Sequence, residues 1–135
     1  MIKFLPTIDA PANTKLPQRS TQFSAGYDFY APTDIFIPAG GDSVLVPLNI
    51  KAIMPGDMVL MLFIRSSLAV KFNLSLVNSV GIIDSDYANN QDNGSETIII
   101  REGERCAQGI FVRYCVTSDD EASAVRGGGY GSTGR

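Results

Sequence analysis

The chain has 135 residues, the length of one domain, and 44% of them are apolar while 19% are charged. It contains no histidine, which excludes imidazole-based acid–base catalysis, and its two cysteines cannot form a four-cysteine metal site or a disulfide framework. The net charge of −3 provides no general attraction for nucleic acid or for an anionic membrane. We therefore expect one soluble domain that does not bind nucleic acid directly and that holds any anionic substrate by local donors.

Targeting signals are not expected in this sequence. The longest apolar run, Met58 to Ile64, is far shorter than the ~20 residues of a membrane-spanning helix. The N-terminal segment has one early lysine, and a proline interrupts its short apolar run, so it makes a poor signal peptide. These features predict a cytoplasmic protein with no membrane association.

Short strands with glycine and proline turns dominate the pattern. Alternating apolar residues predict strands, and one compact segment with a hydroxyl residue at its start and a late lysine predicts a helix. The strands are expected, in chain order, at the apolar and aromatic segment around Asp28, at 34–38, 44–50, 58–64, 74–80, 97–101 and 107–114, and the helix at 66–72 with Ser66 as its cap. Strand 58–64 is expected to be buried on both faces. Together these elements predict an all-β barrel or jelly-roll-like sandwich with one short helix.

The last twenty residues differ in composition from the rest. Residues 116–125 are polar and acidic and predict a linker, whereas residues 126–135 carry five of the thirteen glycines. Such a segment cannot pack a core and is most simply a disordered end. Its arginines and hydroxyls also suit phosphate binding, because glycine lets backbone N–H groups approach a phosphate closely. We predict a β-core at 1–115, a linker at 116–125 and a flexible glycine-rich arm at 126–135.

Four groups of polar residues could carry chemistry. Asp84 follows an apolar strand and is either part of a polar turn, a general base or a metal ligand. Arg65, Ser66 and Ser67 stand where a buried strand meets the helix, a combination that suits phosphate but also suits a simple cap. Asp28 is a lone charge in an apolar strand and needs a partner, and Gln108 begins a later strand.

In this order, five segments resemble the five motifs of the trimeric deoxyuridine triphosphatases (dUTPases). They are AGYDFYA, RSSLAVKFNLSL, NSVGIIDSDY, GERCAQGIF and RGGGYGSTG, and the resemblance runs from about Ser24 to Arg135. It implies a jelly-roll-like β-clip fold, a homotrimer with shared active sites, and hydrolysis of dUTP to dUMP and pyrophosphate with Mg²⁺ on the triphosphate. The resemblance also implies that the C-terminal arm closes over an active site. The physiological effect would be to limit uracil in DNA and to supply dUMP for thymidylate synthesis.

The resemblance assigns a role to each candidate residue. Asp84 matches the carboxylate that activates water, Tyr87 matches the ring against the deoxyribose, and Asp28 matches an acidic residue that contacts the metal indirectly, through water. The remaining matches are to substrate-binding positions: Asn78 with the backbone of Gly81, Ile82 and Ile83 for uracil; Arg65, Ser66, Ser67 and Gln108 for phosphate; Arg126, Ser132 and Thr133 over the γ-phosphate; and Tyr130, where the family usually has phenylalanine, for stacking on the base.

One segment departs from the family pattern. Only fifteen residues, 88–102, separate Tyr87 from Gly103, and the family usually has a longer strand pair there. A trimmed segment of this kind suggests a phage or viral member. Two alternatives share the fold: a dCTP deaminase-like enzyme, which needs a glutamate near the uracil hairpin, and a regulatory protein that binds a host partner.

Overall fold

The computed structural model describes residues 1–37, 43–89, 95–96 and 102–127. Within these residues every pair of strands is antiparallel and there is one short α-helix, which confirms the all-β prediction. The strands are β1 (Lys3–Pro6), β2 (Tyr27–Tyr30), β3 (Val46–Pro47), β4 (Ile50–Ile53), β5 (Met58–Ile64), β6 (Gly81–Asp84), β7 (Ser95–Glu96) and β8 (Arg105–Arg113); the helix α1 is Ser66–Phe72 and a 3₁₀ helix covers Ser85–Asn89.

A four-stranded sheet in the order β2-β8-β5-β6 organises the described part of the chain. Strand β5 lies at its centre, with Leu62 paired to Gly109 of β8 and to Gly81 of β6. Side chains of one face, including Phe29, Leu60 and Leu62, enter the core with residues of β3 and β4. Gly109 is required there, because a Cβ at this position would lie 2.8 Å from Phe29 Cε2 and 2.9 Å from Leu60 Cδ1.

The run 58–64 forms a strand with the expected bounds, but only one of its faces is fully buried. Met58, Leu60 and Leu62 are buried, whereas Val59 and Met61 between them are half-buried. Within one chain the prediction of burial on both faces is therefore wrong, because only the core face is covered. A seven-residue apolar run fixes the strand but does not determine whether a second layer covers its other face.

Two predicted strands are interrupted by backbone turns. The expected strand 44–50 is split into β3 and the start of β4, because Asn49 has a left-handed φ of 59°. No strand forms at 74–80, where Ser79 has a φ of 66° and donates its N–H to the carbonyl of Leu76 at 3.0 Å. The apolar alternation was present in both segments, but a turn replaced the ladder of hydrogen bonds that a strand needs.

The helix and the last strand form as expected, apart from the helix cap and the start of the strand, but the strand expected at 34–38 does not form within residues 34–37. Helix α1 has the expected bounds, but Arg65 is its N-cap residue and no side chain caps it, so Ser66 is not the cap. Residues 34–37 form no strand, and Asp34 instead accepts a hydrogen bond from the N–H of Glu102 at 2.8 Å. The last expected strand is β8, which begins two residues earlier than predicted. Residues 97–101 and Pro38 lie outside the described residues.

Candidate active site

A cavity of about 740 Å³ opens beside the junction of β5 and α1. Arg65, extended at φ −64° and ψ 138°, ends the strand and begins the helix, so its side chain and that of Ser67 both line the cavity. The lining has an excess of positive charge, because two acidic residues, Asp28 and Glu104, are set against five basic residues: Lys15, Arg19, Arg65, Lys71 and Arg105. This excess, with a serine hydroxyl, suits a ligand with several negative charges.

Asp28 lines this cavity between two arginines. Its Oδ1 is 3.7 Å from Nε of Arg65, and its Oδ2 is 3.4 Å from a terminal nitrogen of Arg105. Strand β2 places Asp28 opposite Gln108 of β8, and the carboxylate is buried. The two guanidinium groups supply the compensation that a buried carboxylate needs. In turn, Asp28 fixes Arg65 toward the cavity.

A second group of candidate residues lies on β6 and the 3₁₀ helix after it, residues 78–89, which we name the β6 hairpin. Within the described residues β6 is an edge strand, since only β5 pairs with it. The backbone of Gly81, Ile82 and Ile83 therefore has one side that faces away from the sheet, and a planar base with its own donors and acceptors can pair there as another strand would. Asn78 is exposed at the entry to this strand.

Asp84 ends β6, and the C-terminal segment returns to it. The guanidinium of Arg126 hydrogen-bonds to the carboxylate of Asp84, and its Nε donates to Oδ1 of Asp86 at 2.9 Å. The Arg126 Cζ also lies 5.9 Å from the centre of the Tyr87 ring. The hydrogen bond to Asp86 raises the pKa of Arg126 above its usual value.

Asp84 and Arg65 lie toward opposite ends of β5, with the edge Gly81 to Ile83 between them. Asp84 is paired with Val59, whereas Arg65 follows the last residue of the strand, six residues farther along. At ~3.3 Å per residue this separation is about 20 Å. One chain therefore does not bring the cationic cavity and the Asp84 carboxylate together at one reacting bond.

Comparison with known proteins decides the family. The dUTPase family model matches residues 12–134. A deoxyuridine 5'-triphosphate nucleotidohydrolase of Lactococcus lactis is 41% identical over 136 residues, covering 91% of this chain and 90% of the relative. The chain belongs to the dUTPase family.

Solved dUTPase structures share its fold. A dUTPase crystal structure from Streptococcus mutans superimposes with a TM-score of 0.72 at 34% identity and covers 84% of this chain and 97% of that one. A mutant dUTPase from phage phi11 of S. aureus gives a TM-score of 0.67 at 15% identity, covering 92% and 97%, and its likeness concerns the fold alone. The expected jelly-roll-like dUTPase architecture is thereby confirmed.

Some of the residues expected to bind phosphate line the cavity, and others do not. Arg65 and Ser67 line it, whereas Ser66 is exposed at the start of α1 and Gln108 is not among its lining residues. Gln108 packs against Gly26, where an added Cβ would lie 2.8 Å from its Oε1. Tyr130, Ser132 and Thr133 lie outside the described residues, so their assigned contacts stay predictions.

Sequence reasoning did not single out several residues at this site. Arg105 is the second partner of Asp28, and Lys15, Arg19 and Lys71 add charge to the cavity, while Asp86 binds Arg126. The carboxylate in an apolar strand indicated that an ion-pair or hydrogen-bond partner must be near it. That signal could not identify Arg105, which is 77 residues away in the chain.

Proposed function

We propose that the chain hydrolyses dUTP to dUMP and pyrophosphate, at sites built from the cationic cavity of one copy and the β6 hairpin of another. The observation that carries this proposal is that two complementary half-sites lie along β5, with Asp84 opposite Val59 and the cationic cavity beside Arg65. One half-site has the charge to hold a triphosphate, and the other has an exposed backbone edge and a carboxylate. Limiting uracil in DNA and supplying dUMP for thymidylate synthesis would follow from this activity.

Uracil recognition is assigned to the open edge of β6. Uracil presents a carbonyl, an N–H and a second carbonyl along one edge, a pattern that the backbone of an extended strand complements. Pairing with β5 fixes the position of Gly81 to Ile83, so the edge is rigid before the base arrives. The ring of Tyr87, in the 3₁₀ helix that follows, is assigned to the deoxyribose.

Asp84 is assigned as the general base that takes a proton from the attacking water. Its side chain is about half exposed, so a water molecule can reach it. A positioned carboxylate contributes roughly 10²–10⁴-fold to a rate. Asp84→Asn keeps the shape and removes the basicity, and we expect kcat for pyrophosphate release to fall by at least ~10²-fold while dUTP still binds.

The matched control is Asp119→Asn, which removes the same charge from an exposed position in the linker. It should retain the wild-type kcat. Wild-type kcat in Asp84→Asn would exclude Asp84 from the mechanism. Parallel assays of dUTP, dCTP, dTTP and UTP for pyrophosphate and for ammonia also test the deaminase alternative. The sequence has no glutamate from Asn78 to Tyr87, so we expect no ammonia release.

Magnesium is proposed as the cofactor, and its ligands would come chiefly from the substrate. Among the residues that the structure describes, no three His, Cys, Asp or Glu side chains form a metal-binding group. Both carboxylate oxygens of Asp28 already face arginines, which disfavours direct ligation. Asp28 therefore suits at most the water-mediated contact that the resemblance implies. A bound Mg²⁺ would neutralise phosphate charge, and Arg65 would orient the same phosphates.

A homotrimer is proposed because one face of the large sheet carries uncovered apolar side chains. Met61 is paired with both Ile82 and Ile110, and Val59 with Val112, so their side chains point to the face opposite the core. Ile82 and Val112 are exposed in the single chain. A second copy on this face would remove them from water and could bring the two half-sites together.

Sedimentation velocity tests this assembly. Val112→Glu places a charge on the apolar face and should convert the trimer to monomers that release no pyrophosphate. Ile8→Glu is the control, because Ile8 is highly exposed and lies outside the sheet. A wild-type protein that is an active monomer would contradict the shared-site assembly.

Within the described residues no helix has the length and hydropathy to cross a membrane.

A further inference from the structure

Asp86 has no role in the catalytic scheme above, yet it is in direct contact with the C-terminal segment. Its Oδ1 accepts a hydrogen bond from Nε of Arg126 at 2.9 Å, while the same guanidinium also reaches Asp84. The Arg126 side chain is only 18% exposed, although both of its carboxylate partners are about half exposed. The first residue of the arm is thus anchored on the hairpin of its own chain.

This contact opposes the roles assigned to Asp84 and to Arg126. A guanidinium that occupies an oxygen of Asp84 competes with the water whose proton Asp84 must accept. The same guanidinium is assigned to the γ-phosphate, and the two carboxylates hold it on the hairpin instead. A triphosphate is a stronger anionic partner than two half-exposed carboxylates, so it can displace them.

We propose that Asp86 is a positioning residue that holds Arg126 on its own hairpin until a triphosphate binds, thereby keeping Asp84 paired when no substrate is present. The proposal rests on the assignment of Arg126 to the γ-phosphate. Binding of the triphosphate transfers the guanidinium from Asp86 to phosphate oxygens and frees the Asp84 carboxylate. Because dUMP lacks the β- and γ-phosphates, it leaves the contact in place.

Trypsin provides a direct measure of this contact, since it must take the Arg126 side chain into its own pocket to cut the bond to Gly127. Loss of residues 127–135 is followed by intact mass without nucleotide. Asp86→Asn removes the charge and keeps the shape, and we expect cleavage about 3-fold faster than in the wild type. The difference should shrink at high salt, because half-exposed ion pairs are screened. Asp119→Asn, which changes the same charge in the linker, should cut at the wild-type rate.

The affinity for nucleotides distinguishes a positioning role of Asp86 from a structural role. Asp86→Asn should bind α,β-imido-dUTP about 2- to 5-fold more tightly, because the competing contact is weakened, and should bind dUMP as the wild type does. With the analogue bound, both proteins should be equally protected from trypsin. Weaker binding of both nucleotides with a lower Tm would indicate a structural role and overturn the proposal.

Two other results for Asp86→Asn would also overturn it. One is unchanged cleavage without nucleotide. The other is weaker binding of the analogue with unchanged binding of dUMP, which would mean that Asp86 contributes to the triphosphate-bound state. The trypsin measurement without nucleotide does not depend on the enzymatic assignment. A wild-type protein that releases no pyrophosphate from dUTP would refute the proposed function, and the cleavage rates would still report whether Asp86 holds Arg126.

Discussion

Replacing Asp28 by asparagine separates its role as an ion-pair partner from a role near a metal. The Asp28 side chain is 12% exposed and lies between Arg65 and Arg105, which are 28% and 43% exposed. Asparagine keeps the shape of the side chain and removes the charge that compensates the two guanidinium groups. Two cations would then face each other across a neutral amide.

The size of the effect follows from the burial. Breaking a fully buried ion pair costs about 3–5 kcal/mol, whereas an exposed pair contributes at most about 1 kcal/mol. The carboxylate is buried, but its partners are partly hydrated and its contacts of 3.4 and 3.7 Å are longer than tight charge-assisted hydrogen bonds. We therefore expect Asp28→Asn to lower the free energy of unfolding by about 1–3 kcal/mol.

The matched control is Asp57→Asn, which breaks the pair between Asp57 and Arg113. These side chains are 52% and 73% exposed, so the loss should stay below about 1 kcal/mol. Urea unfolding at one fixed protein concentration can be followed by tyrosine fluorescence, because the chain has five tyrosines and no tryptophan. Only Asp28→Asn should also raise KM for dUTP, since Arg65 loses the group that orients it.

Equal destabilisation by the two substitutions would refute this reasoning. An unchanged free energy of unfolding in Asp28→Asn, combined with a higher Mg²⁺ requirement, would also refute it. That second result would favour the water-mediated metal contact over the ion pairs as the main role of Asp28.

Three further predictions concern the core, a buried thiol and the arm. Gly109→Ala should destabilise the protein by about 1–3 kcal/mol in urea unfolding, because the new Cβ would crowd Phe29, whereas Gly56→Ala, which meets nothing within 4 Å, should not. Burial raises the pKa of Cys106 from 9.0 to about 12, so the stability that its thiol contributes is full below pH 9 and is lost as the pH rises toward 12. Cys106→Ala should reduce this alkaline loss, Cys115→Ser, at an exposed site, should not, and an equal loss in both would exclude the thiol. Deleting residues 127–135 should leave Tm nearly unchanged and sharply lower kcat/KM for dUTP, and a large drop in Tm would show that the arm supports the fold.

Local sequence was sufficient where an element depends on its own residues. The bounds of β5 and α1 follow from a seven-residue apolar run and from the compact segment after Arg65, and the structure reproduces both. The strand predicted at 74–80 does not form, because a strand depends on more than its own residues. Its apolar alternation is real, but a strand also needs a neighbour for its hydrogen bonds, and the turn at Ser79 closes within the segment instead.

The sequence by itself determined the family and the kinds of chemistry, because five ordered motifs carry the residue types that bind a base, a sugar and phosphates. Tertiary structure decided which of these residues meet. The register of β2 and β8 brings Arg105 to Asp28, and the return of the C-terminal segment brings Arg126 to Asp84 and Asp86. These are contacts between residues 40 to 77 positions apart, set by strand pairing and packing, and no local pattern encodes them.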